Sequence, residues 1–166
     1  MLWRIASIAA LMMALVTSAH ADLDDGRPFG VMGEKEFEAF ARYASAHDVD
    51  LEAEMSKAYA GDPAGLARVF GLAASFQTLD ANARAFGNLL FSTFLNIGES
   101  RGDAIFVKAI DLIPESERQR VRDFLFYPVL LTPAEHRTEA ERAAREQFPR
   151  LFPSDYQFAK GDELFD

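Results

Sequence analysis

The chain has 166 residues, 26 acidic against 17 basic side chains, a net charge of −9 and no cysteine. That charge excludes nucleic acid and anionic membrane surfaces as partners, because both repel an acidic protein. The missing cysteine excludes disulfide staples, so the fold must hold by packing, which a chain of this length can do.

Arg4 is followed by an uncharged run from Ile5 to Val16 and then by Ala19-His20-Ala21, small residues at both positions that a signal peptidase reads. These parts predict a secretory signal peptide over residues 1–21, cleaved after Ala21. The apolar run is shorter than the ~20 residues needed to cross a bilayer. With no cysteine to carry a lipid, no stable membrane anchor is expected after cleavage. One arginine near the start does not make a twin-arginine signal. Cleavage removes Arg4 and leaves the mature chain one unit more negative. An exported chain without disulfides points to the periplasm or to secretion.

Residues 22–33 are polar and rich in Gly and Pro, and read as a flexible N-terminus. Asp22, Asp24, Asp25 and Gly26 look like the start of a calcium loop, but the third acid position fails and Gly33 stands where the closing glutamate belongs. From residue 34 to 166 the period is helical, and one all-α domain is expected there. Phe37, Phe40, Ala41 and Ala44 make the stripe of a first helix, which stops near His47-Asp48. Leu51, Met55 and Tyr59 mark a second, capped by Asp48 or Asp50 and ended by Gly61. His47 lies in the break and has no histidine at ligand spacing, so a surface or capping role is expected.

Asp62-Pro63 starts a third helix with Leu66, Val69, Phe70 and Ala73 on one face, fading at Gln77-Thr78. Asp80 caps the next, Ala83–Ile97. Its stripe of Phe86, Leu90, Phe94 and Ile97 is widened by Leu89, Phe91 and Leu95, the pattern of a buried central helix. Gly98 to Gly102 is expected to break it. The order then repeats, with Gly102-Asp103 matching Gly61-Asp62 at an offset of 41 residues. Phe106, Ala109, Ile110 and Ile113 follow as Leu66, Val69, Phe70 and Ala73 did. Pro114 opens a return helix with Val121, Phe124 and Leu125 inside, ending at Tyr127-Pro128.

Thr132-Pro133-Ala134-Glu135 is a capping box for a last helix to about Gln147, charged outside with an alanine seam of Ala140, Ala143 and Ala144. Its expected ion pairs are Glu139–Arg142 and Glu141–Arg145. The tail from Phe148 carries Leu151, Phe152, Tyr156, Phe158, Leu164 and Phe165, and is expected to pack back on the helices. The fold class is therefore all-α, either a helical-hairpin array or a compact bundle of about six to seven helices.

The block Gly102-Asp103-x-x-Phe106-x-x-Ala109-Ile110-x-x-Ile113-Pro114, then Arg118-x-x-Val121-x-x-Phe124-Leu125, resembles small exported bacterial α-hairpin proteins of unassigned function. It is also similar to a HEAT-type unit, whose period is near 41 residues. The resemblance rests on caps and core positions over roughly half the mature chain. It implies a scaffold for protein–protein contact, with no catalytic residues to carry over.

Chemistry-bearing patterns are sparse. Gly98-Glu99-Ser100-Arg101-Gly102 spells G-x-S-x-G, but a nucleophile elbow needs a strand before it, a helix after it and a downstream histidine. A helix precedes it here, and His136 sits on a charged helix. Glu135, His136 and Glu139 fall short of a zinc ligand set, so no metal site is expected. Arg118 and Arg122 are one turn apart and could grip an anion, and pairing with Glu115, Glu117 or Asp123 is the simpler expectation. No cofactor motif is found, and an enzyme is not expected. Of the 15 phenylalanines, some fall off the helical stripes. Phe76, Phe91, Phe126, Tyr156 and Phe158 are the candidate binding surface, placed in a groove between hairpins. The leading expectation is a non-enzymatic interaction module for a protein or peptide, such as an acidic inhibitor- or immunity-type protein facing a basic partner. The alternative is a carrier with a cavity lined by Phe86, Phe94 and Phe106, and a hydrolase is the remote third.

Overall fold

Local capping chemistry starts three of the helices, at Asp50, Asp62 and Asp80, where the residues said it would. The computed structural model describes residues 34–101, 103–126 and 134–159. The signal peptide expected over residues 1–21, residues 22–33 with their acidic cluster, Tyr127-Pro128, Thr132-Pro133 and residues 160–166 lie outside the described residues. Among the described residues there are seven α-helices: α1 Glu34–Ser45, α2 Leu51–Ala60, α3 Pro63–Phe70, α4 Ala81–Arg101, α5 Ala104–Asp111, α6 Glu115–Leu125 and α7 Ala134–Gln147. A 3-10 helix, Gly71–Ser75, follows α3 directly, and no strand occurs among the described residues. The chain is all-α, as its periodicity requires.

Asp50 Oδ1 accepts from Ala53 N at 3.1 Å, Asp62 Oδ1 from Ala64 N at 2.9 Å and Asp80 Oδ1 from Ala83 N at 2.9 Å. Each carboxylate satisfies a donor that a helix start leaves open. Gly61 ends α2 with φ 95°, a conformation glycine reaches without strain. Two boundaries differ from expectation. The helix expected to fade at Gln77 tightens to 3-10 geometry at Gly71, which turns Leu72 and Ala73 into the core. Helix α4 does not break at Gly98 but runs on to Arg101. A single glycine costs a helix only about 1 kcal/mol, and Ile97 just before it is anchored in the core.

The helices form two layers. Helices α2, α3 and α5 pack side by side, as do α1, α4 and α6. The 41-residue offset in the sequence is thus a spatial relation too: α3 lies against α5 and α4 against α6. All eight stripe residues of that offset, Leu66 to Ala73 and Phe106 to Ile113, are buried. Between the layers stands a ladder of rings. Phe86 lies 6.1 Å from Phe40, 5.2 Å from Phe76 and 4.9 Å, edge-on, from Phe124. Phe94 meets Phe106 at 5.1 Å and Phe148 at 4.2 Å, both edge-on. Edge-on rings at such spacing gain attraction beyond the area they bury.

The tightest approach is between α2 and α3. A Cβ at Gly65 would sit 2.4 Å from the Glu54 carbonyl oxygen and 2.9 Å from Lys57 Cβ. Gly65→Ala must therefore push α2 and α3 apart, and we expect a loss of about 2–3 kcal/mol. Gly71→Ala, where nothing lies within 4 Å of the new Cβ, is expected to gain about 0.5 kcal/mol by restricting the unfolded chain. Denaturant unfolding of the two variants beside the wild type checks both signs.

Candidate functional site

Aromatic residues off the helical stripes were expected to form an open binding face, and the structure corrects this. Phe76, Phe126 and Tyr156 are only 2%, 4% and 6% exposed, and Phe91 and Phe158 are half-buried. Phe76 caps the 3-10 helix and stacks on Tyr43 at 5.3 Å, with its carbonyl accepting from Arg120 Nη2. Phe126 packs on Phe152 at 5.5 Å and Phe158 at 4.3 Å. Tyr156 meets Phe158 edge-on at 4.9 Å. Phe76, Phe126, Tyr156 and Phe158 leave the helical period because they lie outside the helices, whereas Phe91 is on α4. They divide into two clusters, one at the 3-10 helix and one under the C-terminal segment.

The basic residues also have other partners than expected. Arg118 donates to the carbonyls of Ile113, at 3.3 Å, and Asp111, at 3.1 Å, closing the end of α5 instead of pairing with Glu115 or Glu117. Arg137 takes Glu141 at 3.0 Å, while Arg145 turns to the tail. The Glu139–Arg142 pair is present at 3.9 Å, beside a closer Arg142–Glu146 pair at 2.6 Å. His47 Nδ1 bonds the Tyr43 carbonyl at 2.9 Å and its ring lies 4.4 Å from that of Tyr43, a capping arrangement. The backbone from Gly98 to Arg101 is helical, so the strand–turn–helix that an elbow at Ser100 needs is not present there. Among the described residues no three His, Asp or Glu side chains converge to hold a metal ion.

Two buried acids, missed from the sequence, organise the C-terminal segment. Asp103 matches Asp62 in the repeat, yet its side chain makes no cap bond. Its carboxylate accepts from Arg150 Nε at 2.9 Å, Arg150 Nη2 at 2.6 Å and the Arg150 backbone N–H at 3.0 Å. Asp123 is buried on α6 and accepts from Tyr156 Oη, from Ala159 N at 3.4 Å and from Gln119 Nε2 at 3.3 Å. Burial pushes the Asp123 carboxyl above the ordinary value of 3.8, and the donors from Tyr156, Ala159 and Gln119, with the Arg122 charge, offset this only in part. Burial, then the charge and hydrogen bond of Asp123, drives the Tyr156 hydroxyl far above 10.0. The one sequence signal for this cluster is an acid at 123 beside the inner-face residues Val121, Phe124 and Leu125.

An open recess of about 460 Å³ lies where α1 meets α2, lined by Ala41, Ser45, Asp48, Val49, Asp50, Leu51 and Glu52. Asp48 turns the chain there with φ 59°, and its carbonyl accepts from Arg68 Nη2 at 2.9 Å. Asp48, Asp50 and Glu52 are exposed, while Val49 and Leu51 are buried beneath them.

Comparison with protein-family models, curated proteins and solved structures finds no match to this chain.

The hydroxyl of Tyr156 gives a pH test. The unfolded chain ionises it from about pH 10 upward, whereas the folded chain keeps it protonated. Stability is therefore intact below pH 10 and falls above it, by about 1.4 kcal/mol per pH unit from this group. Tyr156→Phe should be less stable than the wild type near neutral pH by about 1–3 kcal/mol, since it strips a buried acceptor of its donor. Above pH 10 the gap should close at that slope, as measured by urea unfolding across the range.

Proposed function

We propose that this chain is an exported, non-enzymatic interaction module that binds a basic protein or peptide at the acidic corner between α1 and α2. An inhibitor- or immunity-type role is the concrete form of that reading. The observation that carries it is the recess in which the exposed Asp48, Asp50 and Glu52 surround a floor containing Val49 and Leu51. A cationic side chain entering it would find carboxylates at the rim and apolar contact below for its methylene stem. The chain's net charge of −9 would steer a basic partner toward the protein. Export rests on the leader pattern of residues 1–21, and a HEAT-type scaffold on the 41-residue offset.

A carrier of small apolar ligands would need open volume around Phe86, Phe94 and Phe106. At those positions the rings of Phe40, Phe76, Phe124 and Phe148 lie 4.2–6.1 Å away, and the space is taken by side chains. This favours a surface role over a carrier.

The test is capture from a periplasmic extract with the immobilised mature chain and with an Asp48→Asn/Glu52→Gln variant. Asparagine tolerates the left-handed turn at position 48, and Asp50 is left in place because it caps α2. We expect a partner held at low salt and released at high salt, with about tenfold weaker binding to the variant at an unchanged melting temperature. No partner at either salt, or one indifferent to the two substitutions, would contradict the proposal.

A further inference from the structure

Pro153–Ala159 is the last described stretch of the chain, and it has neither helix nor strand. Side chains of α6 and α7 satisfy its backbone. Arg145 donates to the carbonyls of Pro153 at 2.8 Å, Ser154 at 3.3 Å and Tyr156 at 2.8 Å. Gln119 donates to the carbonyl of Gln157 at 2.8 Å and Arg137 to that of Ala159. Asp123 accepts from the backbone of Ala159 and from the Tyr156 hydroxyl. Pro153 to Tyr156 makes a turn, in which the Pro153 carbonyl also accepts from Tyr156 N at 3.0 Å, and beyond it the side chains alternate: Tyr156 is buried and Phe158 half-buried, while Gln157 faces solvent. Phe158 packs on Phe126 on one side and lies 4.8 Å from the Arg145 guanidinium on the other.

Proteins hold an extended peptide from another chain in this manner. Main-chain bonds supply affinity, and pockets for alternate side chains supply selectivity. None of the contacts just described depends on the strap being joined to the rest of the chain. The residues before it are held differently. Phe148 is wedged on Phe94, Leu151 and Phe152 are fully buried, and Arg150 is clamped by Asp103. The boundary falls at the exposed Pro153. α6 and α7 bring Arg122, Arg137 and Arg145 to the strap together with two carboxylates, that of Asp123 and that of Glu141, which Arg137 holds at 3.0 Å.

We propose that the groove between α6 and α7 is a docking site for an extended Tyr-Xaa-Phe segment, filled in cis by Pro153–Ala159. A partner polypeptide presenting that pattern displaces the strap. This site is separate from the acidic corner, and neither depends on the other.

Full-length Tyr156→Ser/Phe158→Ser weakens the cis occupant and leaves the groove residues intact. The probe is a fluorescent synthetic peptide with the sequence of Pro153–Ala159. The variant is expected to bind it in the micromolar range and at least tenfold more tightly than the wild type, where the tethered strap competes at roughly millimolar effective concentration. A peptide with serine in place of both aromatics should not bind. A folded variant that ignores the probe overturns the proposal. Native-state hydrogen exchange on the wild type gives a reading that does not rely on the variant folding. Amides of Tyr156 and Ala159 that exchange faster than those of α6, and faster again with millimolar peptide, support displacement. Exchange at the rate of the α6 core, indifferent to peptide, overturns it.

Discussion

The structure depends on a ladder of phenylalanine rings standing between two layers of helices. Phe86 is its centre, touching Phe40 from α1, Phe76 from the end of the 3-10 helix and Phe124 from α6. Phe94, two turns further along α4, carries the ladder to Phe106 of α5 and to Phe148. A chain without disulfides has to obtain its stability from burial, and large planar side chains supply the most area for each side chain fixed. The same rings occupy the place where a helix-lined ligand cavity was envisaged.

Polar groups then decide how the segment from Arg150 to Ala159 is held. The repeat puts aspartates at equivalent places, Asp62 before α3 and Asp103 before α5, yet they do different work. Asp62 caps its own helix, while Asp103 reaches across the fold to Arg150. That exchange of a local bond for a long-range one fixes the point where the tail leaves α7. Asp123 continues the task from α6 by holding Tyr156 and the backbone of Ala159. Its buried carboxylate is costly, since burial raises its pKa in spite of three donors. By the same linkage Asp123 contributes stability that is present at acid pH and lost as pH rises through its folded value. The tail is accordingly held by directional contacts with a cost attached, unlike the ring ladder.

Helix stripes and caps were legible because they are local. Leu66, Val69, Phe70 and Ala73 share a face through the 3.6-residue period, and Asp50, Asp62 and Asp80 bond amides two or three residues on. What could not be read required knowing which distant segments meet. Gln119 and Gln157 are 38 residues apart, and Asp103 and Arg150 are 47 apart. Phe76, Phe126 and Tyr156 looked like surface residues because they fall outside helical registers, whereas loops carried them inward. Gly98 read as a stop, but the packing of Ile97 outweighs the modest propensity cost of one glycine. The recess at α1 and α2 was present in the letters only as three acids spaced two apart, since its depth comes from the turn at Asp48.

If function resides on the surface, as proposed, the chain carries no small molecule. Native mass spectrometry of the protein purified from cells under non-denaturing conditions tests this most directly. The expected result is the mass of the bare polypeptide, with no adduct lost on gentle activation. A stoichiometric apolar adduct, released only when the chain unfolds, would contradict it and restore the carrier.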